Sequence, residues 1–368
     1  MIKFFKRDYF KLSENNFLLI SIITLIIISS KWFFSSYYFD ESIEMKLILD
    51  NPNGNFYYSY TKFLADLNFI EMLSIESDHS IAGEVFGSLI LHAFLYKLLG
   101  YYGLVVGDYI FIFLFLYLFY KILIFLNFTK FISIFISLFI FNIPSLIDIS
   151  FLNDFIYLQN FKSISGFAYP NPLVSNLFFY VFIYFIFKIE KNYILNYKNI
   201  FILGTILSIT FVSFYYYFVV QVLTFFFLVI YKEKRAFFSN LKNKILFLFF
   251  LICIFLIFTS PYTLMLFFAE PDYLERVGSI IIDNEQKNIL FLHYGKKFSS
   301  LLFIIVLLVN FLITLSLRYL RSNNLTNKIV LDLLLLSSII SPLLFVQFSP
   351  TISNLYHFNL TIFICLFL

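Results

Sequence analysis

The chain begins MIKFFKRDYFKLSENNFLLISIITLIIISSKWFFSSYYFDE over residues 1–41. Three features follow one another there. Lys3, Lys6, Arg7 and Lys11 come first, then an apolar run from Phe17 to Phe34, then a pair of acids, Asp40 and Glu41. A bilayer core about 30 Å thick needs roughly 20 apolar residues in a helix. Lys and Arg in short loops stay on the cytoplasmic side. The stretch therefore predicts a first spanning helix with a cytoplasmic N-terminus and an acidic outer end. The run lacks a small-residue cleavage site and reads as a signal anchor.

The rest of the chain is built in the same way. Of its 368 residues, 61% are hydrophobic, 13% are charged and 56 are Phe. A soluble domain averages about 25% charged residues, and no soluble core could hide this much apolar surface. The expected fold class is all-α: a polytopic membrane helix bundle forming a single transmembrane domain over residues 1–368. The net charge of +4 excludes a strongly basic nucleic-acid binder. Cys253 and Cys365 both lie in apolar runs, which leaves no disulfide framework and no Cys-rich metal site. The excess of Phe, Ile, Asn, Lys and Tyr fits an AT-rich genome, and a bacterial inner (plasma) membrane is the expected setting.

The basic residues lay the chain through the bilayer. After the first span, residues 35–103 form a long outer loop rich in Asp and Glu. Val85 to Leu99 is apolar, but it is short and is interrupted by His92 and Lys97. If it spanned, Lys121 and Lys130 would fall outside, so it is read as an interfacial helix. Leu104 to Tyr120 then goes in and Phe131 to Ile147 comes out, to a second outer loop over 148–170. Pro172 to Phe187 goes in. Asn199 to Tyr231 is too long for one helix and is read as two spans with an outer turn near Tyr215-Tyr216-Tyr217. Ile245 to Phe268 comes out to a third outer loop over 269–297, Leu301 to Leu317 goes in, and Ile329 to Val346 comes out. Phe358 to Leu368 starts back in. That makes about ten transmembrane helices. The last run is too short to cross alone, so the chain is expected to continue beyond it.

Candidate chemistry gathers on the outer face. Asp40 and Glu41 stand directly above a membrane helix, where a carboxylate can take a proton from an acceptor hydroxyl or hold a hard cation. Asp148 and Asp154 lie in the second outer loop. All four histidines, His79, His92, His293 and His357, also fall outside. Within the spans, Asp108 and Asp332 lie near helix ends, where snorkelling or capping accounts for them, and no proton relay is expected. Pro261 and Pro342 interrupt runs without matching polar partners. The Tyr215–Tyr217 cluster reads as an interfacial aromatic belt.

The layout resembles the GT-C type of membrane glycosyltransferases, which use polyprenyl-phosphate-linked sugars and include protein mannosyltransferases and lipid A aminoarabinose transferases. The acidic pair Asp40-Glu41 after the first span carries the likeness. So do "LILHAFLYKLLGYYG", closing the outer loop on a Gly turn, and the segments "GFAYPNPLVSNLFFYVFIYF" and "ILGTILSITFVSFYYYF". The likeness covers roughly residues 17–231. It implies a hexosyltransferase on the outer face with Asp40 as catalytic base, Glu41 beside it, and Asp154 (or Asp148) as the second outer-loop acid. Asp40 and Asp154 would hold a divalent metal ion, if one is used. Lys62, Lys97 and Arg276 are the candidates for binding the donor phosphate. The arginine that many members carry before the second acid is missing. The implied partners are a polyprenyl-phosphate-linked sugar donor, the lipid bilayer and a glycan, lipid or protein acceptor. The other reading is a non-catalytic or transport protein for lipid-linked sugars or polysaccharide, flippase or O-antigen polymerase-like. Such a protein would line a mid-membrane cavity with polar or charged residues.

Overall fold

The computed structural model describes residues 16–40, 42, 61–67, 86–149, 173–190, 196–233, 241–267, 283–298, 301–319 and 325–345. Among them every regular element is a helix. In lipid the backbone must satisfy its own hydrogen bonds, and a helix does so within one segment. We number the helices α1 (residues 16–39, with a π-helical turn at Ser29–Phe34), α2 (61–66), α3 (Phe86–Leu99), α4 (Tyr101–Phe125), α5 (Lys130–Ile149) and α6 (Ser175–Glu190). They continue as α7 (Tyr197–Glu233), α8 (Leu241–Phe267), α9 (Asn284–Phe298), α10 (Leu301–Tyr319) and α11 (Leu325–Phe345).

Five stretches are long and apolar enough to cross a membrane: Asn16–Tyr38, Tyr101–Phe125, Tyr197–Glu233, Asn243–Leu264 and Asn327–Leu344. Their burial sorts them. The apolar window of α4 is 56% buried and that of α11 50%, against 17% for α8 and 22% for α1. So α4 and α11 sit inside the bundle, while α8 and α1 face outward. The outward faces carry Ile245, Phe249, Ile252, Leu256 and Ile257, all exposed. An apolar surface of that kind belongs against lipid rather than water.

Helix ends follow local chemistry. Gly100, at φ +60, turns the chain between α3 and α4, a backbone angle glycine adopts without penalty. Asn127, also left-handed at φ 66, closes α4. Asn196 caps α7 by accepting the Asn199 N–H at 2.8 Å, and Asp283 caps α9 by accepting that of Gln286 at 2.7 Å. Inside α8, Pro261 has no N–H to give to the Ile257 carbonyl, and the Ser260 hydroxyl donates to that carbonyl instead at 2.9 Å. Pro261 is thus absorbed within an unbroken helix.

Helix α7 is not straight. Phe214 is extended, at φ −160 and ψ 83. A straight helix of 37 residues would be about 55 Å long. Yet both of its ends lie against the start of α8. Tyr197 packs on Phe247 at 5.0 Å, and Glu233 pairs with Lys244 at 3.0 Å. The rings of Phe211 and Phe218 meet at 5.3 Å. The chain therefore reverses at Phe214, giving two antiparallel arms, as the run length from Asn199 to Tyr231 led us to expect. The tip differs from expectation. Tyr217 is fully buried and donates to the side-chain oxygen of Asn176 on α6 at 2.6 Å. It is a core anchor, and the aromatic-belt reading of this cluster does not hold for Tyr216 and Tyr217, both buried.

Helix α3 also departs from the sequence reading, which laid it along the membrane surface. Its register on α4 is antiparallel: Tyr96 meets Tyr101 at 5.6 Å and His92 meets Phe111 at 5.1 Å. Gly103 lies so close to the Leu95 carbonyl that a Cβ there would collide with it. The helix doubles back beside α4, which is long and apolar enough to cross a membrane.

Glu41, Asp154 and Arg276, and the tenth expected span at 358–368, lie outside the described residues. Asp148 falls in the last turn of α5.

Candidate functional site

Asp40 terminates α1. It adopts the left-handed conformation at φ 52 and ψ 37, and its backbone N–H bonds to the Ser36 carbonyl. This is a helix C-cap built on a residue type that tolerates the geometry. Its carboxylate stands exposed, next to the exposed rings of Tyr37 and Tyr38. Lys62 is exposed on α2. Lys97, at the end of α3, pairs with Asp66 of α2 at 3.1 Å, both side chains more than half exposed. No ion pair among the described residues joins Asp40 to Lys62 or Lys97. Nor does any group of three His, Cys, Asp or Glu among them form a metal site.

A second acid is arranged in the opposite way. Asp108, about two turns into α4, is 3% exposed. Three helices converge on its carboxylate. The Lys31 ammonium of α1 donates to Oδ2 at 2.7 Å, and the Trp32 indole N–H donates to the same oxygen at 3.1 Å. His92 of α3 brings Nε2 to 3.5 Å from Oδ1. The local sequence explains the convergence. Lys31 and Trp32 are consecutive and fall in the π-helical turn Ser29–Phe34. That wider turn lets two neighbours address one partner, and such turns recur at functional sites. Gly107, one residue before the acid, leaves room for the imidazole: a Cβ there would lie 2.6 Å from its Cδ2 and Nε2. Phe111 stacks on the other side of the ring.

Two further polar bonds tie α1 to α4, Asn16 to the Tyr120 hydroxyl at 2.8 Å and Ser21 with the Tyr109 hydroxyl at 2.6 Å. Among the described residues, the charge cluster thus joins these two bonds in holding α1 to the buried α4.

By sequence, Asp108 is a span-end residue, His92 lies in an interfacial helix, and Lys31 carries no assigned role. Lys31 is the only charged residue between Asn16 and Asp40, and that isolation was the available signal, since ionisable residues in membrane helices are functional candidates by default. Asp332 has partners as well. It accepts from Lys328 at 2.7 Å and from Asn310 at 3.1 Å, tying α11 to α10. Most hydroxyls of the spans bond their own helix one turn back, as Thr24, Ser208, Thr210 and Thr224 do, so they neither need nor supply a polar path.

No protein-family model matches the chain, and neither a curated protein nor a solved structure matches it.

Proposed function

We propose that the protein is a membrane glycosyltransferase of the GT-C type, moving a hexose from a polyprenyl-phosphate donor to an acceptor on the outer face. In this reading the chain crosses a bacterial inner membrane about ten times, starting from a cytoplasmic N-terminus. The observation that carries it is the position of Asp40. An exposed carboxylate closes the first spanning helix, its backbone fixed by a left-handed cap, beside aromatic rings suited to an interface. A base there would take the proton of an acceptor hydroxyl or amine as that group attacks the sugar C1. The C1–O bond to phosphate breaks on the opposite face, the configuration inverts, and polyprenyl phosphate leaves. In this reading Lys62 and Lys97 would offset the developing charge. A divalent ion needs several oxygen ligands; Asp40 would supply one, with Asp154, outside the described residues, as its expected partner.

The test is reconstitution of the intact chain into liposomes holding a panel of polyprenyl-phosphate hexoses, with release of polyprenyl phosphate as the readout. Asp40→Asn should lower turnover about 100-fold or more. Undiminished turnover in a folded Asp40→Asn protein rejects the reading.

One observation favours a second reading, a transport protein for lipid-linked sugars or polysaccharide. Lys31, His92 and Asp108 lie among helices, where charged residues often mark translocation paths. A transporter would move lipid-linked sugar between leaflets, with Asp108→Asn abolishing movement and Asp40→Asn sparing it.

A further inference from the structure

We infer that the end of α1 is a binding site for a neutral carbohydrate, which stacks on the rings of Phe34 and Tyr38 and gives its hydroxyls to Asp40. The site is argued from the rings and the acid alone; that its sugar is the acceptor rests on the reading of Asp40 as base. The π-helical turn Ser29–Phe34 divides the aromatic residues. Trp32 in that turn is buried against Asp108, and Phe34, which ends it, is 64% exposed. Tyr37 is 88% exposed and Tyr38 71%. The helix then stops at Asp40, two residues past Tyr38, with the carboxylate exposed.

Two of the rings form a platform. Phe34 and Tyr38 are four positions apart and so share one face of the helix. Their planes lie within 19° of parallel and their centroids are 6.0 Å apart. Rings overlapped face to face would sit about 3.5–4 Å apart. These two are therefore displaced sideways, and together they present a stepped aromatic face. Interfacial anchoring alone would account for such rings. The acid next to them adds a second demand. A carboxylate only accepts hydrogen bonds, and O–H donors bond it more strongly than they bond a neutral oxygen.

A sugar ring meets both demands. Its C–H face is apolar and lies against an aromatic ring, while its hydroxyls project from the rim toward an acceptor. Other classes of ligand use half of the surface. An acyl chain would cover the rings and leave a carboxylate desolvated and unpaired, which is costly. A phosphate or an acidic peptide would be repelled by Asp40. In the transfer itself, one bound hydroxyl passes its proton to Asp40 as its oxygen bonds to C1 and the C1–O bond to phosphate breaks. Binding and attack then use the same contact.

The experiment measures binding of soluble neutral oligosaccharides, a gluco-, manno- and galacto-configured set, to the intact protein in lipid nanodiscs by saturation-transfer NMR. The wild type should bind at least one of them. Phe34→Ala and Tyr38→Ala should each weaken that binding about tenfold. Asp40→Asn should weaken it about fivefold, the difference between a charged and a neutral acceptor. Tyr38→Phe keeps the ring face and should stay within about twofold of the wild type. The altered side chains are exposed, so all four variants should fold with the wild-type unfolding midpoint. Absence of binding across the set, or undiminished binding in Phe34→Ala and Tyr38→Ala, would leave the rings as a membrane anchor and overturns the inference. The measurement needs no turnover. Oligosaccharide binding without release of polyprenyl phosphate from any donor defeats the transferase reading and supports the site; turnover without oligosaccharide binding does the reverse.

Discussion

Asp40 and Asp108 are both acids near the same end of the bundle, and they are satisfied in opposite ways. Asp40 is held through its backbone, one hydrogen bond to Ser36 within its own helix, and its carboxylate is left exposed. Asp108 is held through its carboxylate by side chains from α1 and α3 while its backbone continues α4. An acid committed to the Lys31 and Trp32 donors is spent on assembly. One left open is available to a substrate. The contrast separates the acid proposed as catalytic from the acid that fastens the helices.

The sharpest way to break this contrast is to remove one charge from the buried pair. Lys31→Met or Asp108→Leu leaves an uncompensated charge and should destabilise the protein by about 3–5 kcal/mol. The double variant removes both charges and should recover most of that loss. Denaturant unfolding followed by Trp32 emission reads all three proteins, and a double variant as unstable as the singles would show that packing, not charge, fixes α1 to α4. Next comes Gly107→Ala. Its new methyl would lie 2.6 Å from the imidazole and should cost roughly 1–3 kcal/mol by overpacking, with altered Trp32 emission. Tyr217→Phe removes the hydrogen bond to the oxygen of buried Asn176 and should cost about 0.5–1.5 kcal/mol, visible as a lower unfolding midpoint. The smallest effect belongs to the open end. Lys97→Ala breaks an exposed ion pair with Asp66 and should change stability by less than about 1 kcal/mol.

The all-helical class could be read from the sequence because lipid leaves the backbone little choice. The reversal of α7 was also legible, since the run from Asn199 to Tyr231 exceeds any bilayer. The exposure of Asp40, Lys62 and Lys97 was legible too, because acids and bases next to apolar runs stand out in one dimension. The buried cluster was not. Its members are 16 to 77 positions apart, and each taken singly fits a span end or a surface helix. Only the antiparallel register of α3 on α4 and the π-helical turn in α1 bring them together, and neither leaves a signature in hydropathy. Tyr217 was misread for a related reason. A tyrosine near a turn resembles an interfacial anchor until the turn proves to be buried against Asn176.

The most direct measurement compares the thermal unfolding of Asp40→Asn and Asp108→Asn in the same lipid nanodiscs. The account predicts an unchanged midpoint for Asp40→Asn and a midpoint lowered by several degrees for Asp108→Asn. Equal midpoints, or a larger loss in Asp40→Asn, would contradict it.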